Sequence, residues 1–523
     1  MTWPRVIYHL ARADFLERVR RYSFLLTLLF AFYLGYLVAS GKMKLWLDEY
    51  RGVYTSAWIG TLTALTTSCF VSLVGFYVVK NAVDRDRRTR VGHILATTPL
   101  SKLAYVLGKA ISNFTVLVAM VAVLALFAVA MQFLNLQDSR ADFSALLSPF
   151  LLLAIPGMAL IAAVAVLFET LPGLRGGFGN VLYFFVWATA LGAPIITSET
   201  RFDPFGFVTA FKSLRAAAWV NIPGYRGGFG LRLNPEAPKV LQSFRWEGIH
   251  WTNELLVERM IWFGVAFAIV LVAALLFDRF DPARSKQPDF PVPRELTVSD
   301  TAEVSVVVCA PGQLAPLGQA AHRGGSRSIF WAELKLALKG KLWWWYAVAG
   351  GLLIAQLAAP SALARGELLG LAWLWPVLVW SAMGTREPRY ATDQLIFSSA
   401  HSIRRQFPMM WCAGVAIAAV TGSGFALRLL VPPDWTGLIA WGTAVLFVPT
   451  LALALGVWSS TSKPFEITYT VLWYVGPLNR IPRLDFTGST RSAHPLFTIL
   501  FYQLLTVLLL VISALGRKRQ LLR

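Results

Sequence analysis

The sequence predicts an all-α polytopic membrane protein. It has about twelve transmembrane helices, arranged as two parallel six-helix repeats, each opened by an amphipathic helix on the membrane surface. Three observations predict this. The 523 residues are 56% hydrophobic and 15% charged, and the apolar runs recur at the length of about 20 residues that crosses a bilayer core. A charged loop at Asn81–Lys109 has a second copy 301 positions later, the mark of a duplicated unit. Lys and Arg crowd into alternate loops, as membrane topology requires.

Positive-inside topology also accounts for the net charge of +20, so no nucleic-acid partner is expected. The 20 Trp and 15 Tyr suit anchoring at both interfaces, with membrane lipids as the surrounding medium. Cys69, Cys309 and Cys412 have no paired spacing, so neither a disulfide nor a metal site is expected.

In chain order, residues 3–21 read as an amphipathic surface helix. Trp3, Val6, Leu10, Phe15 and Val19 alternate there with Arg12, Asp14, Glu17, Arg18 and Arg20. The next apolar run has spanning length and lacks a cleavage site, so it reads as a span and not a signal peptide. The six spans of the first half are placed near 22–40, 56–79, 106–134, 147–168, 180–197 and 260–277. The run Gly176-Gly177-Phe178-Gly179 reads as a turn, since no strand precedes it and no Lys follows. A loop at 199–258 contains an amphipathic stretch, Phe207–Trp219, with Phe207, Phe211, Leu214 and Trp219 opposite Lys212 and Arg215. Re-entry into the membrane interface is the plain reading of that stretch, and a cap over an exit path the sharper one.

Residues 278–325 are rich in Pro, Gly, Ser and charge and read as a linker between the halves 1–277 and 326–523. One strand at Ala302–Val308 is compatible with it. Residues 328–341 form a second surface helix. Spans follow near 342–358, 368–383, 408–428, 437–457, 466–479 and 496–515. Segments 1–21, 80–109, 384–407 and 517–523 hold five, seven, four and four Lys or Arg, whereas 136–147, 359–368 and 429–436 hold two between them. The first group and both termini therefore face the cytoplasm.

The two loops align residue by residue. Arg85 pairs with Arg386, Asp86 with Glu387 and Arg88 with Arg389. Ile94-Leu95 pairs with Leu395-Ile396, Thr97-Thr98 with Ser398-Ser399, and Ser101 with Ser402. Two solvated basic loops are the bland reading. A further repeat follows spans 5 and 11: Asp203-Pro204-Phe205-Gly206 and Asp485-Phe486-Thr487-Gly488. Asp/Gly turns explain these more simply than substrate contact does.

On these residues the chain resembles the permease subunits of ABC exporters of the second type, in the fused double-length form. The stretch ILATTPLSKLAYVLGK within Asp84–Lys109 carries the likeness most closely, and Arg386–Arg405 carries it more weakly. The second loop departs from the pattern: Ala400 stands where Pro99 does in the first, and no Gly-Lys matches Gly108-Lys109. The resemblance implies an elbow helix before each half, a cytoplasmic coupling helix between spans 2 and 3, and two copies of a separate cytoplasmic ATPase subunit. ATP and Mg would be bound by that partner and no cofactor by this chain. Indeed the Gly-Lys pairs at Gly41, Gly108 and Gly340 are followed by Met, Ala and Leu, and none fits a phosphate-cradling loop. The coupling ridge is then Ile94, Leu95, Leu100 and Leu103, seated in a groove on the ATPase. Thr97, Thr98, Pro99, Ser398 and Ser399 sit beside it. Asp86, Arg88, Lys102, Glu387, Arg389, Arg404 and Arg405 pair at the rim or hold the loop against its own bundle. The layout suits a bacterial inner membrane, and a homo- or hetero-oligomer with another permease is compatible with it.

Catalysis finds little support. His9, His93, His250, His322, His401 and His494 are scattered, and Glu169 and Glu466 stand at span ends. Span 2 carries Thr61, Thr63, Thr66, Thr67 and Ser68. Bonds to backbone carbonyls are the plain reading, with a pathway lining through Thr63 and Thr67 as the sharper one. The alternative fold is a proton-coupled secondary transporter of the major facilitator type. The missing glycines of its loop motif, the surface helices and the long 2–3 loop count against it.

Overall fold

Four of the long apolar helices begin the same way. Thr55, Asp142, Thr252 and Asp434 each accept a backbone N–H from the first turn that follows, which satisfies a donor that the helix itself leaves open. The computed structural model describes residues 3–20, 22–40, 43–47, 50–134, 142–197, 202–222, 225–227, 230–233, 242–280, 325–390, 392–398, 402–431, 433–479, 481–489 and 495–521. The chain divides into two compact units, Met1–Gln287 and Pro288–Arg523. Most of the stretch read as a linker, with the strand expected at Ala302–Val308, lies outside the described residues.

Unit 1 contains α1 (Trp3–Val19), α2 (Tyr22–Ala39), α3 (Ser56–Val79), α4 (Ala82–Arg88), α5 (Val91–Thr97), α6 (Lys102–Leu134), α7 (Phe143–Pro149), α8 (Ile155–Thr170), α9 (Gly177–Thr197), α10 (Phe207–Asn221) and α11 (Asn253–Leu276). A π-turn at Phe150–Ala154 joins α7 to α8 directly after Pro149, where the missing N–H breaks the regular ladder. Helix α3 is buried over most of its length and packs on α6, α7 and α8. Gly60 permits the α3–α7 crossing, since an added Cβ would collide with the Leu146 carbonyl. Helix α1 packs on α6, and α8 on α11.

Unit 2 contains α12 (Ser326–Leu338), α13 (Trp343–Ala358), α14 (Ser361–Leu363), α15 (Leu369–Leu374), α16 (Val377–Trp380), α17 (Arg386–Tyr390), α18 (Asp393–Phe397), α19 (Ser402–Arg428), α20 (Trp435–Ser459), α21 (Lys463–Trp473) and α22 (Pro495–Leu521). Its pairings run parallel to those of unit 1: α12 packs on α19, α13 on α19, α19 on α20, and α20 on α22.

Among the described residues, eight helices are long and apolar enough to cross a membrane. They coincide with the expected spans 2–6, 9, 10 and 12, which makes this an integral membrane protein. The spans expected at 22–40, 342–358, 368–383 and 466–479 are not among the eight. Helix α13 has 16 residues. The 368–383 run is split between the end of a π-turn, α15 and α16, with Pro376 between the last two. The 466–479 run is α21 followed by a π-turn that contains Pro477. Apolar composition gives a span its length, but proline and π-turns interrupt the helix without changing hydropathy.

Two small sheets qualify the all-helical expectation. Strands β1 (Met43–Trp46) and β3 (Gly230–Leu233) pair antiparallel, with Met43 opposite Leu233. Strands β2 (Tyr50–Gly52) and β4 (Gln242–Phe244) pair in parallel, with Gly52 opposite Phe244. They tie the 41–55 loop to the 199–258 loop. Helix α10 differs from the interfacial stretch expected there: Phe207, Phe211 and Leu214 are buried inside the unit, and Trp219 alone of that face is exposed.

Candidate functional site

The sequence marks the loop between α3 and α6, and the structure shows how it is fixed. Asn81, at φ 97°, turns the chain out of α3. The Glu169 carboxylate, at the end of α8, then accepts the backbone N–H groups of Asn81 (2.7 Å), Ala82 (3.0 Å), Val83 (2.6 Å) and Asp84 (3.1 Å). One side chain thus satisfies every N–H of the first turn of α4 that the helix leaves open. Lys80 donates to Asn180 Oδ1 at 2.6 Å and to the Leu174 carbonyl at 3.0 Å.

The far side of α4 is held by a buried acid–base knot. Asp14, on α1, pairs with Lys109 of α6 (2.8 Å), with Arg18 (3.0 Å) and with Arg85 of α4, and accepts the Ser112 hydroxyl at 2.7 Å. Burial alone would raise the Asp14 carboxyl, but Arg18 and Lys109 hold it well below the usual carboxylate range. Asp86 accepts the Tyr105 hydroxyl at 2.8 Å and pairs with Lys109 at 2.8 Å. The knot therefore joins α1, the loop helix α4 and the long apolar helix α6.

The loop tip is seated on the chain that leaves α11. Asp278 pairs with Arg87 and with Arg175 (3.0 Å), and these guanidiniums outweigh its burial and lower its pKa. Arg279 donates to the Thr98 carbonyl at 2.8 Å. Phe280 fills the space beside Gly92 that a Cβ would need.

Unit 2 repeats the knot with different residues. Glu333 is the buried side chain of α12, and it pairs with Arg386 at 3.2 Å as Asp14 pairs with Arg85. Gln406 donates to Glu387 (3.2 Å) and to Glu333 (3.0 Å). It stands 301 positions after Tyr105, which does the same for Asp86. The cation on Glu387 is Arg517 of α22, at 2.9 Å, whereas unit 1 uses Lys109 of α6. Burial raises the Glu333 carboxyl, with Gln406 and Arg386 only partly opposing it.

This geometry sorts the site residues read from sequence. Asp86 and Glu387 are buried, so they hold their loops and do not face a partner. The ridge expected from Ile94, Leu95, Leu100 and Leu103 is divided. Leu95, Leu100 and Leu103 pack on a core with Tyr105, Phe277 and Phe280, while Ile94 is 66% exposed. The split follows from α5 being a helix of seven residues: neighbouring positions point about 100° apart. In unit 2, Leu395 is 76% exposed and Ile396 is half-buried. Thr97 and Thr98 donate to the Ile94 and Leu95 carbonyls, and Ser398 to Leu395. Pro99, Arg389, Arg404 and Arg405 are exposed and Lys102 is half-buried. The Arg88 side chain and Ser399 lie outside what is described.

Thr63 and Thr67 are buried and donate to the carbonyls of Ile59 (2.8 Å) and Thr63 (2.7 Å), which is the plain reading. Both Asp/Gly motifs are turns. Gly206 and Gly488 have φ of 78° and 70°, and Asp203 accepts the Phe207 and Thr209 N–H groups.

Sequence reasoning missed Asp14 and Glu333 as anchors. A signal was present in α1: Ile7, Ala11, Asp14 and Arg18 are buried, and their spacing puts a carboxylate on the inward stripe. That stripe is not the one expected from Val6, Leu10 and Phe15.

No match to the chain is found among the curated proteins. Residues 47–212, which hold α3, the whole anchored loop, α6 to α9 and the start of α10, match the family described as ABC-2 family transporter protein, and this likeness supports an ABC transporter permease.

Proposed function

We propose that this chain is the membrane-spanning permease of an ATP-driven ABC exporter. Separate ATPase subunits, two copies per chain, hydrolyse Mg-bound ATP and drive it. The observation that carries this reading is the loop geometry. In each unit a short helical tip exposes a large apolar side chain, Ile94 (with Val91 beside it, less exposed) or Leu395, while a buried acid–base knot ties the same loop to a surface helix and a spanning helix. A docking residue needs exposure, and a lever needs rigid attachment; the tip supplies one and the knot the other. ATP-driven closure of the ATPases draws the loops together. Asp14 and Lys109 pass that motion from α4 to α1 and α6, and Glu333 and Arg517 pass it from α17 to α12 and α22.

The halves 1–277 and 326–523 act in this reading as parallel six-span repeats joined by the 278–325 linker. Both termini are cytoplasmic, in a bacterial inner membrane. The matching helix pairings of the two units support the repeat, and Thr63 and Thr67 remain the pathway candidates of span 2. The test is co-purification of the tagged chain with its ATPase in mild detergent. Ile94→Asp with Leu395→Asp is expected to abolish capture of the ATPase with the melting midpoint unchanged. If no ATPase accompanies the wild-type chain, the permease reading fails, and transport under an imposed proton gradient tests the facilitator alternative.

A further inference from the structure

Asp14 and Glu333 do more than hold the loops. Each fixes the rotation of its own helix about the axis, and so decides which side chains face away from the bundle. The residues two and six positions to either side of the anchoring acid fan out over about 120°, centred on the opposite face, because a helix turns about 100° per residue. In unit 1 these are Tyr8, Arg12, Leu16 and Arg20, and Arg5 falls on the same stripe. In unit 2 they are Arg327, Trp331, Lys335 and Lys339. All of them are exposed, Tyr8 at 61% and Trp331 at 58%. Each stripe runs on to the residue just past its helix, since α1 ends at Val19 and α12 at Leu338.

The charges are sorted between the two faces. The acids of α1 and α12 are Asp14, Glu17 and Glu333, and each pairs with a loop cation, Arg85 or Arg386. Arg18, on the buried side of α1, pairs with Asp14 at 3.0 Å. The side chains of Arg5, Arg12, Arg20, Arg327, Lys335 and Lys339 make no ion pair or hydrogen bond among the described residues. Each stripe thus presents three unpaired cations, an exposed aromatic ring and no carboxylate. Membrane topology sets the side of the bilayer on which cations stand, but it does not gather them on one face of a helix. A face that is only solvated carries both signs. Both stripes also lie beside the loop end of a membrane-crossing helix. Leu10 abuts Gly108 of α6, Ser112 of α6 donates to Asp14, and Gln406, near the start of α19, donates to Glu333.

We infer that the outward stripes of α1 and α12 bind the headgroups of anionic phospholipids, in the leaflet on the loop side of the membrane. Phosphate esters supply the negative charge that the free cations lack. Tyr8, Leu16 and Trp331 supply the apolar and amphipathic bodies that settle at headgroup level. From Arg5 to Arg20 the stripe runs about 22 Å, at about 1.5 Å per residue. A row of that length suits a surface of charges and not a single free phosphate. The lipid face stands opposite the acid that holds the loop, so one helix carries both contacts. The inference stands on each unit by itself and does not depend on ATPase docking.

The test uses the purified full chain, without ATPase, in neutral detergent micelles that hold equal amounts of phosphatidylglycerol and phosphatidylcholine with identical acyl chains. The two lipids make the same apolar contacts and differ in net charge. Native mass spectrometry counts the lipids retained per chain. Phosphatidylglycerol is expected in excess by at least about tenfold, since each Lys or Arg beside an anionic surface strengthens binding roughly fivefold. That excess should fall as salt is raised. Arg5→Gln with Arg12→Gln and Arg20→Gln is expected to remove about half of the excess, and Arg327→Gln with Lys335→Gln and Lys339→Gln the rest, with the melting midpoint unchanged. Arg5→Lys with Arg12→Lys and Arg20→Lys keeps the charge and should keep the excess. Should a Gln set unfold the chain, Arg12→Glu or Lys335→Glu alone decides in its place by a smaller loss of the same kind. The inference is overturned if the two lipids are retained equally, or if the folded Gln sets keep the excess. If those sets keep the lipid and lose the ATPase instead, the stripes are protein-docking faces and the inference fails in that way.

Discussion

Asp14 and Glu333 occupy corresponding places, but their surroundings make them opposite in sign. Asp14 has three cations and a hydroxyl around it and its pKa is lowered. The stability it contributes is therefore complete above the ordinary value of 3.8 and is lost only as pH falls through the lowered one. Glu333 is raised above its ordinary 4.5 by burial, with Glu387 nearby. Its ionised form weakens the fold, so stability is gained as pH falls through that raised value and lost as pH rises through it. Asp14→Asn is expected to cost about 3–5 kcal/mol, because it strips the partner from buried cations, and the cost should be flat from pH 5 to 8. Glu333→Gln should be close to neutral at pH 5 and neutral or stabilising at pH 8. Melting midpoints of the purified chain across that range check both; equal, flat losses for the two variants would contradict the assignment. These anchors were hard to read from sequence because a carboxylate on a basic amphipathic helix looks like part of its wet face. Only the partners, some 70 to 98 positions away in unit 1, show that it points inward.

Helix α4 has seven residues, too few to persist alone, so its existence rests on Glu169. That carboxylate divides its work evenly: one oxygen takes Asn81 and Ala82, the other Val83 and Asp84. Glu169→Gln keeps one oxygen and turns an amide N–H₂ toward the remaining two donors. Its loss is expected to approach that of Glu169→Ala, about 3 kcal/mol from charge-assisted bonds forfeited at a buried place. Hydrogen exchange at the amides of Ala82, Val83 and Asp84 reads this directly, and protection unchanged in both variants would show that α4 forms without the cap. At this scale the spacing of apolar residues located the eight long helices, with their ends off by up to seven positions, since burial in lipid or protein is written in hydropathy. The broken helices near Pro376 and Pro477 and the β1–β3 and β2–β4 pairings were not legible. The first depend on local hydrogen-bond geometry, and the second join segments almost 200 residues apart, a relation that no local window contains.

At the scale of the whole molecule the proposed repeat can be compared unit by unit, and the contacts match in some places and differ in others. Arg85 and Arg386 face equivalent carboxylates, and Tyr105 and Gln406 donate to equivalent acids. The closing cation, however, comes from α6 in unit 1 and from α22 in unit 2. Among the described residues Asp14 pairs with three cations and Glu333 with Arg386, so the unit 1 loop is tied more heavily, although Leu395 is at least as exposed as Ile94. In the proposed complex each tip seats one ATPase, so Ile94→Asp alone and Leu395→Asp alone should each leave a single ATPase per chain, which native mass spectrometry without nucleotide counts. The firmer loop presents its apolar side chain with less ordering left to pay for on binding. The ATPase retained by Leu395→Asp, seated on unit 1, should thus dissociate more slowly than the one retained by Ile94→Asp. Weakening the unit 1 knot with Lys109→Met should bring the two rates together, since the difference arises from attachment and not from the docking residue. Two ATPases lost together from either single variant would mean that the tips do not dock independently. Equal dissociation rates in the presence of an intact Lys109 would mean that the knots do not set the strength of docking.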